Sequence, residues 1–378
     1  MILIIKPTLH CNLRCKYCYL SNASKQSSQQ MMSIEFAKRL LEQAKDVFLK
    51  KNTKKPLKIL WHGGEPLLWG ENNYKEIFSY ISTLFNGYNY KISIQTNLTL
   101  INSTYISLLK KYNVHIGVSL DGPKFLHDNL RISGNGDGTF DIVMQNIKRL
   151  RKEKIKVGCI CVLSRNHINH IKDLYDFMCE NNLGHKANPL FRAGESIKII
   201  NDIGITPNEY AKMAIELFDL WFYDEKHKNN NATFSEMASN LLTGQTSLCV
   251  FNSNCQNSII CISPSGDVVP CGRFCDEKLI NKFTYGNLFV EDLATIVNRR
   301  RESDAYKRIL RIEMQSCKKC YLFSICHGGC LHDGYNVAGD FDKKTFLCNA
   351  YKKIYQHIAK RLHEIGLESV INFPITNN

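Results

Sequence analysis

The hydrophobic and polar positions of the chain alternate between two patterns in its first half. Short runs rich in β-branched residues predict strands, and between them apolar residues recur at the spacing of a helix face. The predicted strands are residues 2–6, 57–61, 91–96, 115–120, 157–163 and 185–191. The predicted helices are residues 33–49, 73–84, 103–111, 140–152 and 168–181. This alternation is typical of an α/β fold whose parallel strands form an open sheet or part of a barrel, with helices outside and chemistry at the carboxyl ends of the strands.

The pattern changes in the second half. A helix is predicted over residues 208–224 and is followed by a polar stretch over residues 224–232. From Cys249 onward the regular alternation stops, cysteines become dense, and turn-forming residues such as Pro264 and Gly266 appear. A last helix is predicted over residues 350–365. We therefore expect two domains, residues 1–235 and residues 236–378, the second held by metal rather than by a large core.

Composition indicates a globular protein of the cytoplasm. Hydrophobic residues make up 44% and charged residues 22% of the 378 positions. No apolar run approaches the roughly 18 residues of a membrane helix, and the opening segment reads as a strand rather than a signal peptide. The net charge of +14 suits an acidic peptide or an acidic electron carrier, or is an ordinary solvated surface. No arginine-rich tract with interleaved aromatic residues predicts nucleic-acid binding.

The sixteen cysteines change this picture most. Because the chain shows no secretion signal, we expect them to be reduced, which favours metal ligation or catalysis over disulfides. The first group is Cys11, Cys15 and Cys18, spaced C-x3-C-x2-C directly after the first predicted strand. Three cysteines can hold three irons of a [4Fe–4S] cluster and leave the fourth iron open for a substrate or cofactor. A zinc site with a distant fourth ligand is the alternative.

This motif resembles that of the radical S-adenosylmethionine (SAM) superfamily, and the resemblance covers essentially the whole chain. It implies that SAM binds the open iron and that an electron from the cluster cleaves it to methionine and a 5′-deoxyadenosyl radical. That radical then abstracts a hydrogen atom from the substrate. Under this resemblance the cofactor carries the chemistry, and the protein positions the reacting atoms.

The same resemblance implies a SAM pocket at the ends of successive strands. Glu65, in the sequence Gly-Gly-Glu, would bind the amino group of SAM, and Ser119 and Arg131 would face its carboxylate. Asp121 would be a ribose or structural contact, and Val162 would lie near the adenine. The full predicted set is Tyr17, Gly63, Gly64, Glu65, Gln95, Ser119, Asp121, Arg131 and Val162.

A second set of eight cysteines resembles the SPASM domain of peptide-modifying radical SAM enzymes in spacing and in order. By this resemblance the ligands of two auxiliary [4Fe–4S] clusters interleave along the chain. The inner cluster would be held by Cys249, Cys255, Cys271 and Cys330. The outer cluster would be held by Cys317, Cys320, Cys326 and Cys348. Two zinc ribbons would accept the same sets of thiolates and are the alternative.

The other five cysteines, which we expect to be small buried or loop residues, are Cys159, Cys161, Cys179, Cys261 and Cys275. Of these, Cys261 and Cys275 lie between or beside predicted ligands. They are therefore the expected substitutes if a cluster ligand is assigned wrongly.

The layout resembles that of anaerobic sulfatase maturases and of SPASM maturases of ribosomally made peptides. In sulfatase maturases, an aspartate directly after the third inner-cluster cysteine is the base, but here that position is Gly272. Base catalysis would then be weak or supplied elsewhere, for example by Asp267, Asp333 or a histidine. Arg273 would bind a peptide carbonyl or cover a cluster. The sequence Cys271-Gly-Arg-Phe is more similar to maturases that cross-link peptide side chains, including those that form cyclophanes.

We therefore expect a radical SAM oxidoreductase that acts on a peptide or protein substrate and receives electrons from a low-potential donor such as flavodoxin or ferredoxin. Sulfatase maturation, in which a cysteine or serine becomes formylglycine, is the first alternative. Radical oxidation of a small molecule and a zinc-rich binding protein without radical chemistry are the others.

Overall fold

The computed structural model describes residues 1–21, 30–49, 55–226, 231–246, 248–312 and 316–367, so part of the polar stretch 224–232 lies outside the described residues. The strands are β1 (Ile2–Ile5), β2 (Leu57–Trp61), β3 (Tyr90–Thr96), β4 (His115–Ser119), β5 (Val157–Leu163), β6 (Gly184–Pro189), β7 (Ile259–Ile262), β8 (Asp267–Val269) and β9 (Gly286–Asn287). In the described residues they form one sheet of nine strands in the order β6-β5-β4-β3-β2-β1-β7-β8-β9. Strands β1 to β6 are parallel neighbours, which confirms the predicted α/β class.

Helices follow the strands of the first half as predicted. They are α1 (Ile34–Leu49), α2 (Glu71–Leu84), α3 (Ser103–Lys111), α4 (Lys124–Leu130), α5 (Phe140–Lys152), α6 (Ile171–Glu180), α7 (Ile200–Ile203) and α8 (Pro207–Phe222). The later helices are α9 (Ala232–Thr243), α10 (Glu277–Phe283), α11 (Leu293–Arg299), α12 (Asp304–Ile312), α13 (Phe323–Cys326), α14 (Leu331–Ala338) and α15 (Cys348–Glu364). Across the described ranges, no helix combines the length and the apolar character needed to span a membrane.

Local chemistry explains where several of these helices begin. The Asn102 side chain accepts a hydrogen bond from the Tyr105 N–H at the start of α3. Helix α8 starts with Pro207 after Thr206, whose hydroxyl accepts from the Glu209 N–H while the Glu209 carboxylate accepts from the Thr206 N–H. This reciprocal capping box satisfies two backbone donors that would otherwise lack partners.

Strand β1 joins the two halves of the molecule because it pairs along both of its edges. Ile5 lies opposite Trp61 of β2 on one side and opposite Ile262 of β7 on the other, and both pairings are parallel. The cysteine-rich region therefore continues the sheet of the first half. Its residues Ile260 and Ile262 are fully buried in the same core as Leu3 and Ile5. This differs from the expectation of a region held by metal rather than by a large core.

The last helix strengthens this connection. Helix α15 packs against α8 and α9, where Asn240 donates a hydrogen bond to the Tyr355 hydroxyl at 2.9 Å. On the same helix, Arg361 and His357 both contact the Asp219 carboxylate, at 3.0 Å and 2.7 Å. The predicted boundary between residues 235 and 236 falls inside α9. The division into two domains at that point stays a prediction.

We expect Ile5→Ala to lower the free energy of unfolding by about 2–5 kcal/mol, because it leaves a cavity at a fully buried position between two parts of the sheet. The measurement is urea unfolding of the anaerobically purified protein. Ile142→Ala is the control, since Ile142 is 39% exposed on α5 and its truncation should change stability by no more than about 0.5 kcal/mol. Equal losses in the two variants would contradict the central place given to β1.

Candidate active site

The loop after β1 brings the first three cysteines to the carboxyl end of the sheet. Cys11, Cys15 and Cys18 are free and partly exposed. Two N–H groups of this loop donate to the backbone carbonyls of Leu130, the last residue of α4, and Ile132, which lies just beyond it. Burial raises the pKa of the Cys18 thiol to about 12. The raised pKa means that forming the buried thiolate costs free energy, and a bound metal would offset this cost because it binds the deprotonated form. The three thiols therefore fit three ligands of an iron–sulfur cluster.

A buried ion pair holds this loop against the strand ends. Arg131 donates to both oxygens of Asp121, from Nε at 2.8 Å and from Nη2 at 3.1 Å. The Tyr17 hydroxyl donates to the same carboxylate, and the Val162 N–H donates to it at 2.9 Å. Burial alone would raise the pKa of Asp121, but the Arg131 guanidinium holds it below its usual range. The structure thus gives Asp121 a structural role, and the predicted contacts of these four residues with SAM stay predictions.

The Gly-Gly-Glu sequence lies where the chain passes close to the cysteine loop. A Cβ atom at Gly64 would lie 2.2 Å from the carbonyl oxygen of His10, and one at Gly63 would lie 2.2 Å from that of Thr8. Gly63 also has a φ of +151°, which side chains rarely permit. Both positions therefore require glycine for the close approach of two backbone segments.

Glu65 is fully buried and accepts three hydrogen bonds. Its Oε1 accepts from the Thr96 hydroxyl at 2.6 Å and from the Leu67 N–H at 3.0 Å, and its Oε2 accepts from the Asn97 N–H at 2.8 Å. Burial raises the pKa of Glu65 to about 7, although these hydrogen bonds lower it. The carboxylate is thus held rigidly near Cys11, whose pKa it raises together with burial.

The remaining predicted pocket residues lie on β3 and β4. Gln95 donates to the Ser119 hydroxyl at 3.2 Å, and a Cβ at Gly117 would lie 2.3 Å from the Gln95 side-chain oxygen. Asn97, which the prediction did not select, donates toward the Cys11 sulfur at 3.8 Å. Asn97 directly follows a predicted strand, and this position was the feature of the sequence that could have identified it as a site residue.

Three further residues of the site were not selected from the sequence. Lys6 is fully buried, and its ammonium donates to the Gly272 carbonyl at 2.8 Å and to the Tyr19 hydroxyl at 3.2 Å. The His62 ring lies edge-on to Tyr19, with 6.4 Å between the ring centroids. Burial and the nearby Lys6 lower the pKa of His62 to about 3, so the imidazole is neutral. Lys6 and His62 directly follow strands, and Tyr19 directly follows the cysteine motif. These positions were the features of the sequence that could have identified them as site residues.

The four predicted ligands of the inner cluster line one cavity. Burial raises the pKa of Cys255, Cys271 and Cys330 to about 12. Arg273 covers one side, donating to the Cys330 sulfur at 3.1 Å and to Asp333 at 3.2 Å. The cavity holds four thiols and space for more than one atom, so its donors fit a cluster.

The four predicted ligands of the outer cluster, Cys317, Cys320, Cys326 and Cys348, line a second cavity. Arg308 lines the inner cavity and holds the loop between the two sites, because its guanidinium donates to the carbonyls of Gly328 and Gly329 at 3.2 Å. Within the described ranges, no three His, Cys, Asp or Glu side chains surround a point at which a single metal ion could be held.

The other cysteines lie apart from both cavities. Cys261 and Cys275 are fully buried, with their sulfur atoms 3.4 Å apart, and neither lines a cavity of the predicted ligands. Cys159 and Cys161 lie on β5 and Cys179 on α6, all buried in the core. These positions agree with the expectation of small buried residues.

Two family profiles match this arrangement. Residues 5–178 match the radical SAM superfamily, and residues 249–321 match SPASM, an iron–sulfur cluster-binding domain. The protein is therefore a radical SAM enzyme in which a SPASM domain follows the radical SAM domain. These domains imply that it binds iron–sulfur clusters and SAM.

Its relatives include anaerobic sulfatase-maturating enzymes. The cysteine-type enzyme of Clostridium novyi (strain NT) is 26% identical over 377 residues, which cover 95% of this chain and 96% of the relative. The serine-type enzyme of Bacteroides thetaiotaomicron is 24% identical over 379 residues, which cover 95% of this chain and 89% of the relative. The solved structure of native anSMEcpe with bound AdoMet has the same fold, with a TM-score of 0.78 at 24% identity over 96% of this chain and 98% of that one.

We expect Cys255→Ala to lower the iron content from about twelve to about eight atoms per chain after anaerobic reconstitution, because one cluster loses a ligand. Cys261→Ala is the matched control and should keep the full content, since Cys261 lies outside the cavity. The measurement is iron and acid-labile sulfide analysis. Equal loss in both variants would contradict the ligand set.

We expect SAM affinity to fall by about tenfold between about pH 8 and about pH 6, because Glu65, with its raised pKa, becomes protonated and can no longer attract the SAM ammonium group. The measurement is equilibrium dialysis with labelled SAM. Glu65→Gln should bind SAM weakly with little dependence on pH. A wild-type pH dependence that persists in Glu65→Gln would assign it to another group.

Proposed function

We propose that the protein uses the 5′-deoxyadenosyl radical to modify a ribosomally synthesised peptide or a protein by cross-linking its side chains. The observation that carries the proposal is Gly272. This residue follows the predicted cluster ligand Cys271, where the sulfatase maturases that the chain resembles have an aspartate base. A reaction that depends on a base at this position has none here, whereas bond formation between side chains does not require that base.

The surroundings of Gly272 support this proposal. A Cβ at this position would have its nearest neighbour, Lys6 Cε, at 3.7 Å, so a side chain could begin here without a steric clash at its first carbon. The two carboxylates considered as replacements are engaged elsewhere. Asp267 accepts from the Ser265 hydroxyl at 2.6 Å, and Asp333 accepts from Arg273 at 3.2 Å.

Arg273 is better suited to covering the inner cluster than to binding a free peptide. Its guanidinium lies 3.5 Å from the centroid of the Phe191 ring and donates to the Cys330 sulfur. A hydrogen bond and a positive charge beside a ligand sulfur stabilise the reduced cluster. This favours a role in tuning the potential at which the cluster accepts an electron from the substrate radical.

The proposal includes three [4Fe–4S] clusters, one at Cys11, Cys15 and Cys18 and one in each four-cysteine cavity. The first would supply the electron that cleaves SAM. The chain's own contribution is to hold the Glu65 carboxylate for the SAM ammonium and to fix the cysteine loop through Asp121. The physiological reductant in this proposal is flavodoxin or ferredoxin, and the site of action is the cytoplasm.

Sulfatase maturation is the second candidate, and the sequence relatives favour it. One solved neighbour, native anSMEcpe, was determined with AdoMet and the Cp18Cys peptide, with a TM-score of 0.81 at 23% identity. A peptide substrate is common to both candidates. The two candidates differ in their product, which is a cross-link in one and an aldehyde in the other. Gly272 favours the cross-link, because the aldehyde-forming reaction depends on a base at this position.

The test begins with iron analysis and dithionite-driven SAM cleavage. We expect about twelve irons per chain, about four per cluster, and formation of 5′-deoxyadenosine. Peptides encoded next to the gene are then incubated with the enzyme, and a cross-linked product should have lost the mass of one hydrogen molecule. Zinc in place of iron, without SAM cleavage, would refute the proposal, and modification of a small molecule alone would refute a peptide substrate.

Gly272→Asp separates the two candidates. The wild-type protein should not convert a sulfatase peptide carrying cysteine to the aldehyde, whereas Gly272→Asp supplies a carboxylate directly after Cys271 and should convert it. Gly272→Asn is the matched control, since it has a similar size and no basic group. Aldehyde formation by the wild-type protein would assign sulfatase maturation instead.

A further inference from the structure

Five lysines surround the outer-cluster cavity at the protein surface. Four of them are exposed, and the fifth, Lys352, is partly exposed on α15. We call this set the lysine surface, and its members are Lys318, Lys319, Lys343, Lys344 and Lys352. They come from three separate segments of the chain, so only the fold gathers their charges.

The lysine surface lies directly against the ligands of the outer cavity. Lys352 lines the cavity that also contains Cys317, Cys320, Cys326 and Cys348. Lys343 and Lys344 line an adjoining open cleft together with Cys317 and Cys348. Lys318 and Lys319 lie between Cys317 and Cys320 in the chain. A molecule bound at these lysines would contact the edge of the outer site.

The charges of the lysine surface are not paired with carboxylates among the residues that the structure describes. In the described part of the molecule, no ion pair joins any of the five ammonium groups to a carboxylate. The nearby acidic residues have other partners: Asp342 pairs with Arg311 at 2.5 Å, and Asp340 accepts from the Asp342 N–H at 2.8 Å. Tyr321, which is 37% exposed, adds an aromatic ring 5.9 Å from the Lys352 ammonium.

We propose that the lysine surface is the docking site of a small acidic electron-carrier protein, which exchanges one electron with the outer cluster. The inference rests on the proposed presence of that cluster. In the reducing direction the carrier is oxidised by one electron and the cluster is reduced by one, and no bond is made or broken. Opposite charges steer such partners together, and weak redox encounters use small interfaces of less than about 1,200 Å².

The experiment compares two charge reversals in the reconstituted full chain. The first is Lys343→Glu with Lys344→Glu, and the second is the control Lys110→Glu with Lys111→Glu, an adjacent exposed pair on α3 that changes the net charge equally. The probe is flavodoxin. Calorimetry measures its affinity at low and high salt, and stopped-flow spectroscopy measures the oxidation of its hydroquinone by each variant.

We expect the reversal at the lysine surface to weaken flavodoxin binding by about tenfold or more at low salt and to slow hydroquinone oxidation similarly, with a smaller salt dependence. The control should stay within about twofold of the wild type. Iron content and dithionite-driven SAM cleavage should be unchanged in both, which excludes misfolding.

Unaltered binding in the first variant, or an equal loss in the control, would overturn the inference. If the first variant loses affinity for a single-stranded DNA oligomer but not for flavodoxin, the surface belongs to a nucleic acid and the inference is also overturned. The absence of iron and of SAM cleavage in the wild-type protein would refute the proposed function. In that case the affinity for flavodoxin would still test the docking site by itself.

Discussion

The placement of the candidate SAM site and of the inner cavity depends on the pairing of β1 along both of its edges. Ile5 lies between Trp61 and Ile262, so the strand that leads into the first cysteine loop is also the strand on which the second half of the sheet forms. Buried parallel pairing on both sides leaves no exposed edge and little freedom to shift register. The candidate SAM site and the inner cavity are therefore held at a fixed separation by one short strand.

Lys6 connects strand β1 with the two groups of cysteines. It is the first residue after β1, and its ammonium donates to the Gly272 carbonyl, next to the predicted inner-cluster ligand Cys271. A buried ammonium is costly unless it is hydrogen-bonded. The contact with Tyr19 on the other side links the two cysteine groups through a single side chain.

Two arginines organise the cysteine-rich half in a similar way. Among the described residues, Arg308 donates only to backbone carbonyls, including those of Gly328 and Gly329. It therefore holds the loop that carries predicted ligands of both cavities. Arg273 stacks on Phe191, which follows β6, and contacts the Cys330 sulfur. Because an arginine has a rigid set of donors and stays charged, it can bridge segments far apart in sequence without titrating. The inner cavity is in this way closed by residues from both halves of the chain.

The sequence by itself determined the α/β class, the six parallel strands and the grouping of the cysteines, because these features depend on local periodicity and on short spacings. The bounds of β2, β5, α3 and α5 agree residue for residue with the pattern. It did not reveal β7, whose partner β1 lies more than two hundred residues earlier, nor the Asp121–Arg131 pair that fixes the Tyr17 loop. Only the tertiary structure decided those contacts and the gathering of the surface lysines, because they join side chains and strands from segments whose local patterns carry no information about one another.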